Sequence, residues 1–201
     1  MNRKQIKLGR IMMKEGRFIE AAEMFESAGD RESAMDAWAK GRRFDRAAEL
    51  AIVLGRGDTA AGYYLRGGMY LELAEFYKTR KDYTQAGKYF THSGHHESAA
   101  EMYEQLLKAF PQLKDIPGQK IHRSDEEIKV TRYTASAHAK AGNHSRAAEL
   151  YHRIEAFSEC AENLIQIKDY RNAGEAYEIA GLLAQAGHAY SEGGLHADAA
   201  R

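Results

Sequence analysis

The feature that most constrains this chain is glycine recurring about every thirteen residues. Gly16, Gly29, Gly41, Gly55 and Gly68 stand 13, 12, 14 and 13 residues apart. Lys81 holds the next slot and Gly94 the one after. Following an interruption, a unit starts at Lys129, and the series resumes through Gly142, Glu155, Lys168, Gly181 and Gly194. That makes thirteen units, the last of them incomplete.

Each unit is numbered from its slot. Position six is small, as at Ala21, Ala34, Ala60, Ala86, Ala99, Ala147, Cys160, Ala173 and Ala186. Position ten is bulky and mostly aromatic, as at Phe25, Trp38, Tyr64, Tyr77, Phe90, Tyr103, Tyr151, Tyr177 and Tyr190. Position three is often aromatic too, as at Phe18, Tyr70, Tyr83, Phe157 and Tyr170. Steps of three and four residues put these positions on one face of an α-helix. Glycine in the slot suits the left-handed turn that ends a helix. Each unit therefore predicts one short helix of about three turns, closed by a glycine stop.

A second period lies over the first. Ala-Ala-Glu followed by Met or Leu occurs at 21–24, 47–50, 99–102 and 147–150. The second copy follows the first by 26 residues and the third follows the second by 52, two and four units, so alternate helices differ in kind. This predicts stacked antiparallel hairpins. The small position lets neighbouring helices approach and the aromatic fills the space beside it. One hairpin cannot bury its apolar face alone, so stacking must supply the core. Composition agrees: alanine occurs 33 times, valine twice and proline twice. Helices favour alanine, whereas strands favour β-branched residues.

The runs Gly16-Arg17-Phe18-Ile19-Glu20-Ala21, Lys81-Asp82-Tyr83-Thr84-Gln85-Ala86 and Lys168-Asp169-Tyr170-Arg171-Asn172-Ala173 are each followed by an aromatic at position ten. This spacing resembles the second helix of a tetratricopeptide repeat. The hairpin here is 26 residues long, against about 34 in that family. In this it is similar to the solenoid arms of coat and intraflagellar-transport subunits. The resemblance implies an all-α, right-handed solenoid of about fourteen helices that serves as a non-catalytic scaffold. It carries over no binding residues, because the first-helix pattern of the peptide-clamping members is missing.

The interruption spans 22 extra residues, and both prolines, Pro111 and Pro117, lie in it. A helix over 96–110 is expected to stop before Pro111. A loop follows over 111–123. Ser124 and Glu127 then form a capping box. The expected divisions are a half-array over 1–110, the inserted loop over 111–123, and a half-array over 124–201 that continues beyond the chain end. Loops of this length are usually functional or mobile. Phe110, Leu113, Ile116 and Ile121 are therefore candidate partner-docking residues.

Motifs for chemistry are sparse. The nine histidines lack a fixed ligand spacing such as His-Glu-x-x-His, and Gly94 separates His92 from His96. They read as solvated turn residues. No nucleophile elbow, Walker loop or dinucleotide fingerprint occurs. Cys160 takes a small core position and reads as a buried, inert thiol. These readings predict no enzyme, no metal and no cofactor.

Lysine plus arginine and aspartate plus glutamate number 29 each, so the overall basic balance of a nucleic-acid binder is absent. Two local basic runs remain, 3–17 and 40–46, the second with Arg42, Arg43 and Arg46. If they shared a groove they could hold an acidic peptide or a phosphate backbone. The aromatics sit at core spacing and are not free to stack on bases. No apolar run reaches the ~18–20 residues of a membrane span. The sequence thus favours a cytoplasmic scaffold or adaptor with other proteins as partners. Two alternatives stand beside it, a nucleic-acid-binding solenoid and a regulatory subunit of an enzyme complex.

Overall fold

The computed structural model describes residues 2–110 and 123–195. Among these, thirteen helices follow one another with short turns and no strand. The chain forms two compact units, 1–79 and 80–201. Unit 1 holds α1 (Arg3–Lys14), α2 (Phe18–Ser27), α3 (Arg31–Lys40), α4 (Phe44–Val53), α5 (Gly57–Gly67) and α6 (Tyr70–Thr79). Unit 2 holds α7 (Tyr83–His92), α8 (His96–Leu107), α9 (Asp125–Lys140), α10 (His144–Arg153), α11 (Phe157–Gln166), α12 (Tyr170–Ile179) and α13 (Leu183–Glu192). Within each unit every helix packs on the next. The expected fourteenth helix and most of the insert lie outside the described residues.

The stop between helices recurs in one form. The slot residue takes the left-handed conformation at 16, 29, 42, 55, 68, 81 and 94, and again at 142, 155, 168, 181 and 194. The period is thus a strict thirteen, and it corrects the sequence register at one point: the slot is Arg42, not Gly41. The next residue's N–H then reaches back to the carbonyl of position ten, as in Arg43 to Trp38 and His95 to Phe90, both 2.9 Å. This is the Schellman closure, which satisfies carbonyls that the helix end leaves open. Asp30, Asp82 and Asp169 follow the stop and cap the next helix through Ser33, Gln85 and Asn172. Gly41 is small for another reason: a Cβ there would sit 3.2 Å from Ile19.

Four slots are not glycine. Arg42, Lys81, Glu155 and Lys168 hold φ near 60°. Side chains other than glycine resist this region at a cost of ~1–2 kcal/mol. Glycine loses part of that gain through its freer unfolded chain. Glu155→Gly and Lys168→Gly should therefore each stabilise by about 0.5–1 kcal/mol. Gly181→Ala, at φ +75° with open space around it, should destabilise. Urea midpoints would check all three.

The core follows the register. Ala21, Ala34, Ala47, Ala60, Ala86, Ala99, Ala147 and Ala173 are fully buried at position six. Ala47 joins them only once the slot is moved to Arg42. Position ten rests on position seven of the preceding helix. Added Cβ atoms at Gly9, Gly87 and Gly174 would strike the rings of Phe25, Tyr103 and Tyr190. The register reverses this at Met35 and Ala51, where position seven is large and position ten small, both buried. Layers keep their spacing by exchanging volume between the two positions.

At the re-entry after the insert, Ser124 accepts from the Glu127 N–H, as the capping box predicts. Glu127 itself is buried and paired with Arg153 at 2.5 Å and Arg123 at 3.6 Å. Helix α8 ends at Leu107, and Phe110 packs against the unit 2 core.

Candidate functional site

In unit 2 a groove of about 480 Å³ runs between α7 and α9, with α8 as its floor. The size suits a few side chains or a small ligand. Its floor is Tyr103 and Leu106 from α8 and Val130 from α9. Gly87 makes the floor possible: a Cβ there would lie 2.6 Å from the Tyr103 ring. Tyr133 stands 46% exposed on the wall, its ring 5.7 Å from that of Tyr103. Burial pushes the Tyr103 phenol up in pKa, opposed by its hydrogen bond with Thr91. The phenol therefore stays neutral in ordinary buffers.

The rim is cationic. Lys88 comes from α7, and Lys129 and Lys140 from the two ends of α9. No carboxylate of the described residues lies within 4.0 Å of these three ammonium groups. Arginines of the same unit behave differently. Arg132 pairs with Glu159, and Arg146 with Glu104 and Glu149. Lys88 lies 5.3 Å from the Tyr89 ring centroid, and the His92 Nδ1 lies 2.9 Å from the Lys88 carbonyl. Glu126, in the first turn of α9, is the one carboxylate among the described residues of the lining.

The opposite charge lies elsewhere in unit 2. Glu97, Glu101 and Glu104 of α8 line a second cleft of about 380 Å³ with His138. There the His138 Nε2 stands 3.2 Å from Glu104. His144 meets the Asn163 carboxamide at 2.9 Å. These two histidines bridge helices and are not the solvated turn residues the sequence suggests. Among the described residues no group of three His, Cys, Asp or Glu could hold a metal ion.

Unit 1 holds the sequence-predicted arginines. Arg42 lines an open cleft of about 650 Å³ with Asp36, Lys40, Phe44 and Arg66. Arg43 donates to Asp45, and Arg46 to Glu49 and Glu26. Those hydrogen bonds raise the Arg43 pKa and hold the Asp45 carboxyl below its usual range. Both guanidiniums also flank the Trp38 ring at 5.9 Å. Arg42 thus faces a cleft while its two neighbours face carboxylates and the core. Of the other candidate docking residues, Phe110 packs on the core, and Leu113, Ile116 and Ile121 lie outside the described residues.

Cys160 is 3% exposed, and burial raises its thiol pKa. A protonated, enclosed thiol reacts slowly. Its reaction with a disulfide reagent at pH 8 should be slow in the native chain and immediate in urea, as thiol titration would show. Rapid native reaction would contradict that burial.

No family model and no curated protein matches the sequence. Among solved structures, three similar chains all carry tetratricopeptide repeats in their descriptions. One is a signal-transduction ATPase with a tetratricopeptide repeat sensor from Pyrococcus horikoshii. It is 16% identical with TM-score 0.40, over 94% of this chain and 31% of that one. The chain therefore spans about a third of that protein's length. Another is the TPR2AB domain of yeast Sti1 in complex with pHSP90, 18% identical with TM-score 0.36, over 98% of both chains. The third is a kinesin light chain of Podosopora anserina with TPR-like repeats, 15% identical with TM-score 0.34, over 94% of this chain and 91% of that one. This chain is an all-α helical repeat. Its own thirteen helices and left-handed stops carry that assignment. No helix among the described residues is long and apolar enough to cross a membrane.

Proposed function

We propose that this chain is a non-catalytic, cytoplasmic interaction scaffold that receives a segment of a partner protein in the α7–α9 groove. The observation that carries this reading is a preformed groove with a half-exposed Tyr133 on its wall, above a largely buried apolar floor of Tyr103, Leu106 and Val130. Half-exposed tyrosines over apolar floors serve well as binding anchors, since they offer area at little entropic cost. A photo-crosslinking residue placed at Tyr133 tests it in native lysate, with the same residue at Glu101 as a control on the other cleft. A discrete protein adduct from position 133 alone is expected. Adducts from position 101 alone, or from neither, would overturn the groove. Parallel placements at Leu113 and Arg42 test the insert and the unit 1 cleft as docking sites, and an adduct from either alone would move the site there.

A further inference from the structure

The geometry points to an occupant of one chemistry: we infer that the α7–α9 groove takes an internal acidic segment of a partner protein, with carboxylates on both sides of one apolar side chain. This rests on the groove reading above and adds what the partner must look like.

Three observations carry it. First, the rim lysines form no ion pair with any described residue. Lys88, Lys129 and Lys140 are exposed and lie beyond 4.0 Å from any carboxylate of the described residues. Second, α7 and the part of α9 beyond its first turn carry no acid. Residues 83–92 of α7 contain no aspartate or glutamate, and neither do residues 128–141. Helix α8 lies between them and carries Glu97, Glu101 and Glu104, but these line the other cleft. The described lining thus holds three lysines and one glutamate, a net positive charge in a chain of zero net charge. Such a charge attracts a segment of opposite sign and repels basic ones.

Third, the cations are spread out. Lys129 and Lys140 are eleven residues apart on one helix, which is roughly 16 Å at 1.5 Å per residue. A single phosphate, or a single terminal carboxylate, cannot meet both ends. A segment with acidic groups about five residues apart in extended form spans that distance. Between the two ends lies the half-exposed Tyr133, above the floor of Tyr103, Leu106 and Val130, and the apolar side chain of the segment would rest on its ring. Glu126 stands one turn before Lys129. It lies outside the stretch between Lys129 and Lys140, so the acidic part of the segment ends at Lys129. A nucleic acid would be expected to track phosphates along a longer basic stripe and to need open stacking faces. Of the two tyrosines in the groove, Tyr103 is 7% exposed with its ring packed, which leaves Tyr133 as a single open face.

The test uses the full chain and a random twelve-residue peptide library displayed on phage. Selected peptides are expected to be net acidic, with carboxylates flanking an apolar or aromatic residue. Two variants separate the two claims: the triple Lys88→Glu/Lys129→Glu/Lys140→Glu, and the surface change Tyr133→Ala. Circular dichroism checks that both remain helical. Binding to the triple variant should fall by about tenfold or more, the sum of three exposed charge pairs. Peptides with aspartates changed to lysines should regain affinity for the triple variant and lose it for the parent. That exchange cannot arise from misfolding. If Tyr133→Ala weakens binding and the triple variant does not, the groove stands and its acidic specificity is wrong. If neither variant matters, or no peptide is selected, the groove reading itself fails. A mixed-sequence single-stranded RNA held by the parent at physiological salt and released by the triple variant would overturn the peptide assignment in favour of nucleic acid.

Discussion

Trp38→Ala should cost about 3–5 kcal/mol, the range for truncating a large buried aromatic. Trp38 is 5% exposed at position ten of its unit. It belongs to a buried cluster made mostly of alanines, including Ala22, Ala34, Ala37, Ala47 and Ala48. Alanine cannot extend into the space a lost indole leaves, so the cavity stays open. The guanidiniums of Arg43 and Arg46, both 5.9 Å from the ring, lose their cation–π partner as well. Trp38→Phe should be far milder, about 1.5 kcal/mol or less. The indole Nε1 is buried with no hydrogen-bond partner, so phenylalanine removes an unsatisfied donor along with some volume. Guanidinium or urea unfolding followed by circular dichroism would measure both. A Trp38→Phe loss as large as that of Trp38→Ala would mean that the indole nitrogen has a role the packing does not explain.

Most of the fold was legible because its rule is local. A small residue at six and a large one at ten lie on one helix face, and the stop needs only one left-handed residue. The register at Gly41 failed for a physical reason. Glycine is favoured in a left-handed slot but not required there. Arg42 takes φ 59°, while Gly41 is held small by the approach of Ile19. A strict count of thirteen would have placed the slot at Arg42 and restored Ala47 to the core. The exchange of volume between positions seven and ten was harder to see, since it links residues sixteen apart on different helices, as in Gly87 and Tyr103.

The groove was not legible from motifs. Its lysines come from α7 and α9, with α8 and the insert between them in sequence. Basic runs drew attention to Arg43 and Arg46 instead, yet closely spaced charges on a helix start find nearby carboxylates, as these two do with Asp45 and Glu49. The useful signal was the reverse of a charge run. Two helices, α7 and most of α9, lack acidic residues in a chain with 29 of them. No carboxylate stands three or four residues from Lys88 or Lys140 on the same helix, so intrahelical pairing does not cancel the lysine charge there.

Gly174→Ala should lower stability by about 1–3 kcal/mol, the cost of overpacking a filled core. The sign is the point, because helix propensity alone predicts a gain of up to ~1 kcal/mol for this change inside a helix. Gly174 sits at position seven of α12, and a Cβ there would lie 2.3 Å from Cε1 and 2.5 Å from Cζ of Tyr190. Tyr190 is 4% exposed, so its ring has little room to withdraw, and α12 and α13 must separate or tilt. Gly62→Ala is the matched control. Gly62 also lies inside a helix, but nothing stands within 4 Å of its added Cβ, so it should gain roughly 0.5–1 kcal/mol. Gly87→Ala should follow Gly174→Ala at somewhat lower cost, since its contact with the Tyr103 ring is 2.6 Å. The double variant Gly174→Ala/Tyr190→Leu separates steric conflict from general loss of packing. Its destabilisation should be smaller than the sum of the two single changes, because the ring that the methyl strikes is gone. Thermal midpoints would move by about 2–4 °C for each kcal/mol in a chain of this size. Opposite shifts for Gly174→Ala and Gly62→Ala, with coupling to Tyr190, would show that position seven is kept small so that the next helix can dock its aromatic. A stabilising Gly174→Ala would mean that the layers slide apart freely, and that the spacing of the repeat is set somewhere other than at these contacts.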